Sequence, residues 1–206
     1  MSKQIDQLNE WLADLDSKHP AEWDMLPDIG LYMDQVQTYI DRQLGLYRRD
    51  DNDRLLTPAM INNYIKDSLI PRAESKKYTP VHLALLILIG ALKQVMSIPN
   101  LNQMLTVYRE PDEVAALYNH YREIQRSSLT DIASQVLSQA EALQNEVDSQ
   151  KAETEDALRN LALELSIEAR TRILIAEKIL ALLAVPAAPS TTEKRVAPEK
   201  KAVSKK

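Results

Sequence analysis

The sequence predicts a mainly α-helical chain. A helix–turn unit closed by a small β wing comes first, and long coiled-coil-type helices follow. Three observations carry this. Two Thr-Pro pairs, Thr57-Pro58 and Thr79-Pro80, each open a helix: the hydroxyl accepts from an orphan backbone N–H, and Pro at the first helical position loses no bond it would have made. Between them Leu69-Ile70-Pro71 ends the first helix, because Pro disfavours helical geometry in the residue before it. Residues 72–78 are too short and polar for a helix and carry Arg72, Lys76 and Lys77. Finally, residues 112–185 contain neither Pro nor Gly, and their apolar positions alternate at steps of four and three. Helix, turn, basic hairpin, helix is the outline of a winged helix-turn-helix.

The 206 residues suffice for one ordinary domain plus an appendage. The net charge of −5 is unevenly spread. Residues 1–47 hold three basic and nine acidic side chains, whereas 55–82 hold four basic and two acidic. Residues 128–185 hold five against ten, and 186–206 six against two. Positive charge therefore sits on the proposed reading unit and on the tail, and local charge is what an acidic protein needs to meet DNA. The absence of Cys fits a reducing cytoplasm and excludes thiolate metal or redox sensing. The N-terminus lacks the apolar core of a signal peptide, and the longest apolar run, 83–92, is half the length of a spanning helix. Three Gly and no Phe point away from phosphate-cradling loops and β-rich folds.

In chain order, residues 5–15 read as an amphipathic helix ended by His19-Pro20. After an apolar connector around Pro27, Asp28 is the expected cap of a helix over 31–46 with Met33, Val36, Ile40 and Leu44 on one face. That helix is expected to pack across the recognition helix. Residues 48–54 are a charged loop without the spacing of a calcium site. In the recognition helix Ile61 and Ile65 turn inward with Leu69, which leaves Ala59, Asn62, Asn63 and Lys66 outward. Tyr64 has two options, packing or a phosphate contact. Residues 81–96 are apolar on more than one face. The first seam, Leu129, Ala133, Val136, Ala140, Leu143 and Val147, is interrupted near Gln150 and Thr154. A second seam, Leu158, Ala162, Leu165, Ala169, Ile173, Ala176, Leu180 and Leu183, follows. Their shift fits a stutter in one helix or the corner of a hairpin. A second copy of the chain is the expected cover for the stripe. Residues 186–206 are low-complexity and expected to be disordered and basic.

The residues from Leu56 to Tyr78 resemble the DNA-binding module of MerR-type regulators. There the recognition helix runs into a Gly-Leu-Ile-x-Pro turn and a wing ending in Tyr before a Leu-rich helix. Ser68-Leu69-Ile70-Pro71 matches the turn with Ser for Gly, Tyr78 stands at the wing Tyr, and His82-Leu83 opens the Leu-rich helix. Asn62-Asn63-Tyr64 stands where those modules have Arg-Tyr-Tyr. The sequence is more similar still to a bacterial family of small proteins catalogued as a domain of unknown function. Leu56-Thr57-Pro58-Ala59-Met60-Ile61-Asn62-Asn63-Tyr64, Leu69-Ile70-Pro71 and Lys76-Lys77-Tyr78 carry that resemblance. Trp23-Asp24 and Leu31-Tyr32-Met33-Asp34-Gln35-Val36 add to it. It covers roughly residues 23–105 and implies a DNA-binding regulator.

Four segments are thus expected: an N-terminal helix (1–22), a MerR-like winged helix-turn-helix (23–110), a helical dimerisation region (111–185) and the tail (186–206). Asn62, Asn63 and Ala59 are the expected base-facing residues, since an Asn amide can pair bidentately with adenine. Thr57, Tyr64, Lys66, Arg72, Lys76 and Lys77 are expected to position the unit on phosphates. Leu129, Val136, Leu143, Val147, Leu158, Leu165, Ile173 and Leu180 are the expected dimer contacts. His19, His82 and His120 lack metal-ligand spacing, no nucleotide or catalytic fingerprint occurs, and no small-molecule ligand is identifiable. The expected function is a cytoplasmic, dimeric, sequence-specific transcriptional regulator reading an inverted repeat in double-stranded DNA, a repressor in preference to an activator. It needs no cofactor, metal or membrane and is not an enzyme. The alternative is a helical protein-interaction module that keeps the winged unit as scaffold.

Overall fold

Helices begin where the sequence supplies caps. The computed structural model describes residues 3–15, 18–48, 50, 53–146 and 151–183. Arg49, Asp51 and Asn52 of the charged loop, Val147 of the first seam and the tail 186–206 lie outside the described residues, as does the side chain of Leu143. Seven α-helices are seen among the described residues: α1 Lys3–Leu15, α2 Met33–Gln43, α3 Pro58–Lys66, α4 Pro80–Leu92, α5 Ile98–Leu105, α6 Pro111–Glu146 and α7 Lys151–Leu183. The chain is mainly helical. Thr57 Oγ1 accepts from the Met60 N–H at 3.3 Å, and Ser97 Oγ from the Asn100 N–H at 3.3 Å. At α4 the Thr79 N–H donates to His82 Nδ1 at 3.1 Å. At α2 the expected Asp28 cap is not used. The chain stays extended through Leu31, which is committed to a backbone bridge with Tyr78, and Gln35 Oε1 accepts from the Tyr32 N–H at 2.9 Å.

The helix α4 is the centre. Every residue from His82 to Ala91 is buried, as expected of a segment apolar all round, and α6, α2 and α5 pack against it. Close approach depends on Gly90: a Cβ there would collide with Leu44 Cδ1 at the end of α2. The α2 face is as expected, with Val36, Ile40 and Leu44 buried. It packs on α4, however, and faces α3 across a groove rather than crossing it.

No strand occurs among the described residues, so the expected β wing is corrected to a turn held by two isolated bridges. Glu74 and Lys77 form one, with the Lys77 N–H donating to the Glu74 carbonyl at 2.8 Å. Tyr78 and Leu31 form the other, with bonds of 2.8 and 3.0 Å. The hairpin is too short for a ladder, and Pro71 brings no N–H to extend it. Ser75 and Lys76 at its tip have φ of 49° and 62°. Positive φ at both central residues is the signature of a type I′ turn.

The two long helices form a hairpin. Val136 of α6 and Leu161 of α7 share a second core with Leu12 and Leu15 of α1, and Leu129, Ala133 and Leu165 pack around it. Further along, Gln103 Nε2 of α5 donates to the Leu180 carbonyl of α7. Leu158 and Ile173 are half-buried. Of the seam residues, Leu129, Val136 and Leu165 pack together with α1 in this second core, and Leu180 lies against α5, because a hairpin brings parts of its own two arms together. What stays exposed is another face of α7, with Leu163, Ile167, Leu174, Ile175 and Leu182 each more than half accessible. Among the described residues no helix is long and apolar enough to cross a membrane.

Candidate nucleic-acid interface

Helix α3 is nine residues long and divides cleanly. Ile61 is fully buried and Tyr64 is 5% exposed, both in the main core. Ala59, Asn62, Asn63 and Lys66 are all exposed on the opposite side. Tyr64 takes the packing option: its ring positions α3 from inside, and burial raises its hydroxyl pKa. Its expected phosphate contact is not served by this placement. Thr57 is half-buried and acts as the helix cap.

The end of α3 is tightly specified. Ser68 has φ 58°. Its N–H donates to the Ile65 carbonyl at 3.1 Å and the Leu69 N–H to the Tyr64 carbonyl at 2.9 Å. These two bonds form a Schellman motif with Ser68 in the left-handed position that Gly usually takes. Two residues that sequence reasoning missed hold this end in place. Asn102 Nδ2 of α5 donates to the Asp67 carbonyl at 3.2 Å, and Arg109 Nη1 donates to the Ser68 carbonyl at 3.4 Å. Both satisfy carbonyls that a helix terminus leaves orphaned. No local pattern signals contacts that span about forty positions.

Arg72, Lys76 and Lys77 of the wing are all exposed. The wing stands where it does because Tyr78 is buried and bridged to Leu31, and because Gly30 lets Lys77 approach: a Cβ on Gly30 would lie 2.7 Å from Lys77 Cβ. Beneath it His82 is buried, its ring edge-on to Tyr78 at 5.4 Å between centroids. Burial lowers the His82 pKa, partly offset by the carbonyls of Arg72 and Pro71 and by Glu74. Nδ1 accepts the Thr79 N–H and lies 2.8 Å from Thr79 Oγ1. Between α3, the wing and the first turns of α2 lies an open groove of about 930 Å³, with Asn62, Lys66, Arg72 and Lys76 among its lining residues. Tyr32, Met33 and Gln37 form its other wall. The sequence signalled Met33 only as a core position, and Gln37 gave no signal.

Fold and surface together define a helical domain that presents amides and cations side by side on one exposed face. The chain belongs to a known domain family, described as a domain of unknown function (DUF1836), which matches residues 21–123. No curated protein and no solved structure matches the chain. The matched span takes in the first turns of α6, and the structure supplies a reason. Tyr118 Oη donates to the Ala21 carbonyl at 2.8 Å, and Arg122 Nε to the Pro20 carbonyl at 3.0 Å, so α6 closes the unit onto its own beginning.

Proposed function

We propose that this protein is a sequence-selective DNA-binding regulator, acting as a dimer and a repressor in preference to an activator, through a MerR-like helix-turn-helix. One observation carries the reading: Ala59, Asn62, Asn63 and Lys66 form the free face of a capped helix, flanked by the exposed wing cations Arg72, Lys76 and Lys77. An exposed amide on a rigid helix is the chemistry that reads adenine in a major groove, and cations beside it hold phosphates. Asn62 and Asn63 would read bases with Ala59 beside them, and Thr57 would fix the helix start. The dimer would form on the outer face of α7, where Leu163, Ile167 and Leu174 are exposed. Two copies would then read an inverted repeat with half-sites about one helical turn, or a multiple of it, apart.

The experiment is selection of genomic fragments by the purified protein, followed by gel shifts on the enriched site. Asn63→Ala should weaken the selected site by about 1–3 kcal/mol and random DNA little. Lys77→Ala should weaken both and reduce the salt dependence by about one phosphate's worth. Equal losses on both DNAs for Asn63→Ala would remove it from base reading. The exposed apolar face of α7 also favours a second reading, a helical module that binds a protein partner. Failure to enrich any fragment, with a stable protein complex recovered on that face, would establish the second in place of the first.

A further inference from the structure

The groove between α2, α3 and the wing has properties that a duplex does not require. Its volume, about 930 Å³, falls at the upper end of the range of about 300–1,000 Å³ common for small-molecule sites. Its walls are largely apolar, with Met33, Ile65, Ala73 and Tyr78 contributing from all three elements. Its charged groups are mostly of one sign. Lys66, Arg72 and Lys76 are cations, and each has its side chain in solvent at the rim. Gln37, on the opposite wall, has a buried side-chain Nε2 with no hydrogen-bond partner. That donor is left without an acceptor, and a turn of the side chain offers it to an incoming oxygen. Asp34 is the single acidic residue of the lining, and it is exposed.

We propose that this groove binds a small amphipathic anion, an aromatic or branched acyl carboxylate. The apolar body lies against Met33, Ile65 and Ala73, and the carboxylate meets the Arg72 and Lys66 cations, with Gln37 Nε2 donating to the ligand. The apolar walls argue against inorganic phosphate, which would leave them unused. Charge-assisted bonds from several donors account for discrimination against a neutral ligand of the same shape. Such a ligand covers Asn62 and Lys66. On the DNA reading it would therefore compete with the duplex, a consequence that rests on that reading; the binding site itself does not.

The test is titration calorimetry of the full chain with 2-naphthoate, its neutral isostere 2-naphthamide and inorganic phosphate. The expected result is one naphthoate per chain, about tenfold or more tighter than the amide, with phosphate displacing neither. The double variant Lys66→Ala, Arg72→Ala should bring naphthoate to the level of the amide and leave the amide unchanged. Gln37→Leu should weaken naphthoate alone. Both altered cations are exposed, and a thermal melt verifies that each variant is folded; Arg72→Gln serves if the double variant is not. Equal affinity for acid and amide, displacement by phosphate, or naphthoate binding that ignores the variants would each overturn the assignment. No nucleic acid is present in this assay. Its failure leaves the DNA reading intact, and failure to bind DNA leaves the site intact.

Discussion

Ser68 does a glycine's work without a glycine's freedom. Its φ of 58° places an L side chain in the left-handed region, where a Cβ meets the neighbouring carbonyl. The two Schellman bonds and the Arg109 contact over-determine the position and hold it there. Ser68→Gly removes the Cβ clash and keeps every backbone bond. It should stabilise the protein by about 1 kcal/mol, read as a higher midpoint in urea or heat. A lower midpoint would show that the Ser side chain contributes what the backbone does not reveal. The sequence made this turn legible through Leu69-Ile70-Pro71. The strain itself is visible only in the backbone.

His82 gives a titration. Burial holds its folded pKa below the ordinary value, so between the two pKa values the unfolded chain binds more protons. Stability is then full above about pH 6.5 and declines as pH falls toward the folded pKa. His82→Gln keeps an acceptor three residues beyond Thr79, the spacing of a capping box, and removes the proton site. The difference in stability between the wild type and this variant should therefore change between about pH 7 and pH 5, with the wild type losing more on acidification. A constant difference across that window would place the acid sensitivity elsewhere.

At the scale of elements, the starts of α3 and α4 were the most legible feature, because Thr57 and Thr79 act on bonds within their own first turn. The division of α3 was legible too, since periodicity alone puts Ile61 inside and Asn62, Asn63 and Lys66 outside. Tyr64 was ambiguous because an aromatic with a hydroxyl satisfies either environment. The wing was legible as a hairpin between two helices but was expected as β structure; it is a turn with two isolated bridges, one of them to Leu31, which lies far back in the chain. The seams marked one apolar face on each of α6 and α7; they did not tell that Ala133, Val136 and Leu165 share one core, and they missed the face of α7 at Leu163, Ile167 and Leu174. Periodicity is blind to whether the covering stripe comes from the same chain. Gly90 shows the same limit at close range. A helix-interior Gly replaced by Ala ordinarily gains about 1 kcal/mol of helix propensity. Here the colliding atom belongs to Leu44, itself fully buried. Gly90→Val should therefore destabilise by about 1–3 kcal/mol through overpacking between α4 and the end of α2. Urea midpoints on the two proteins decide it, and a neutral result would mean that Leu44 has room to turn.

For the whole molecule, the open question is what covers α7. An apolar face carrying Leu163, Ile167, Leu174 and Leu182 is larger than scattered surface hydrophobics usually present. The paired substitution Ile167→Glu, Leu174→Glu lies on this exposed face and away from both cores. It should leave the thermal midpoint nearly unchanged while halving the mass measured by light scattering. On the DNA reading it should also lower affinity for a full inverted repeat much more than for a half-site. An unchanged mass would assign the face to another partner.

The bonds from Tyr118 and Arg122 back to Ala21 and Pro20 join positions about a hundred residues apart. Closing so long a span costs loop entropy before its contacts repay it, which slows folding. A ribosome would have to release the early part of α6 before the helical unit could close onto its own beginning. Until then the Leu-rich α4 would lack one wall, so synthesis itself would have a vulnerable interval whose length is fixed by where Tyr118 falls in the message.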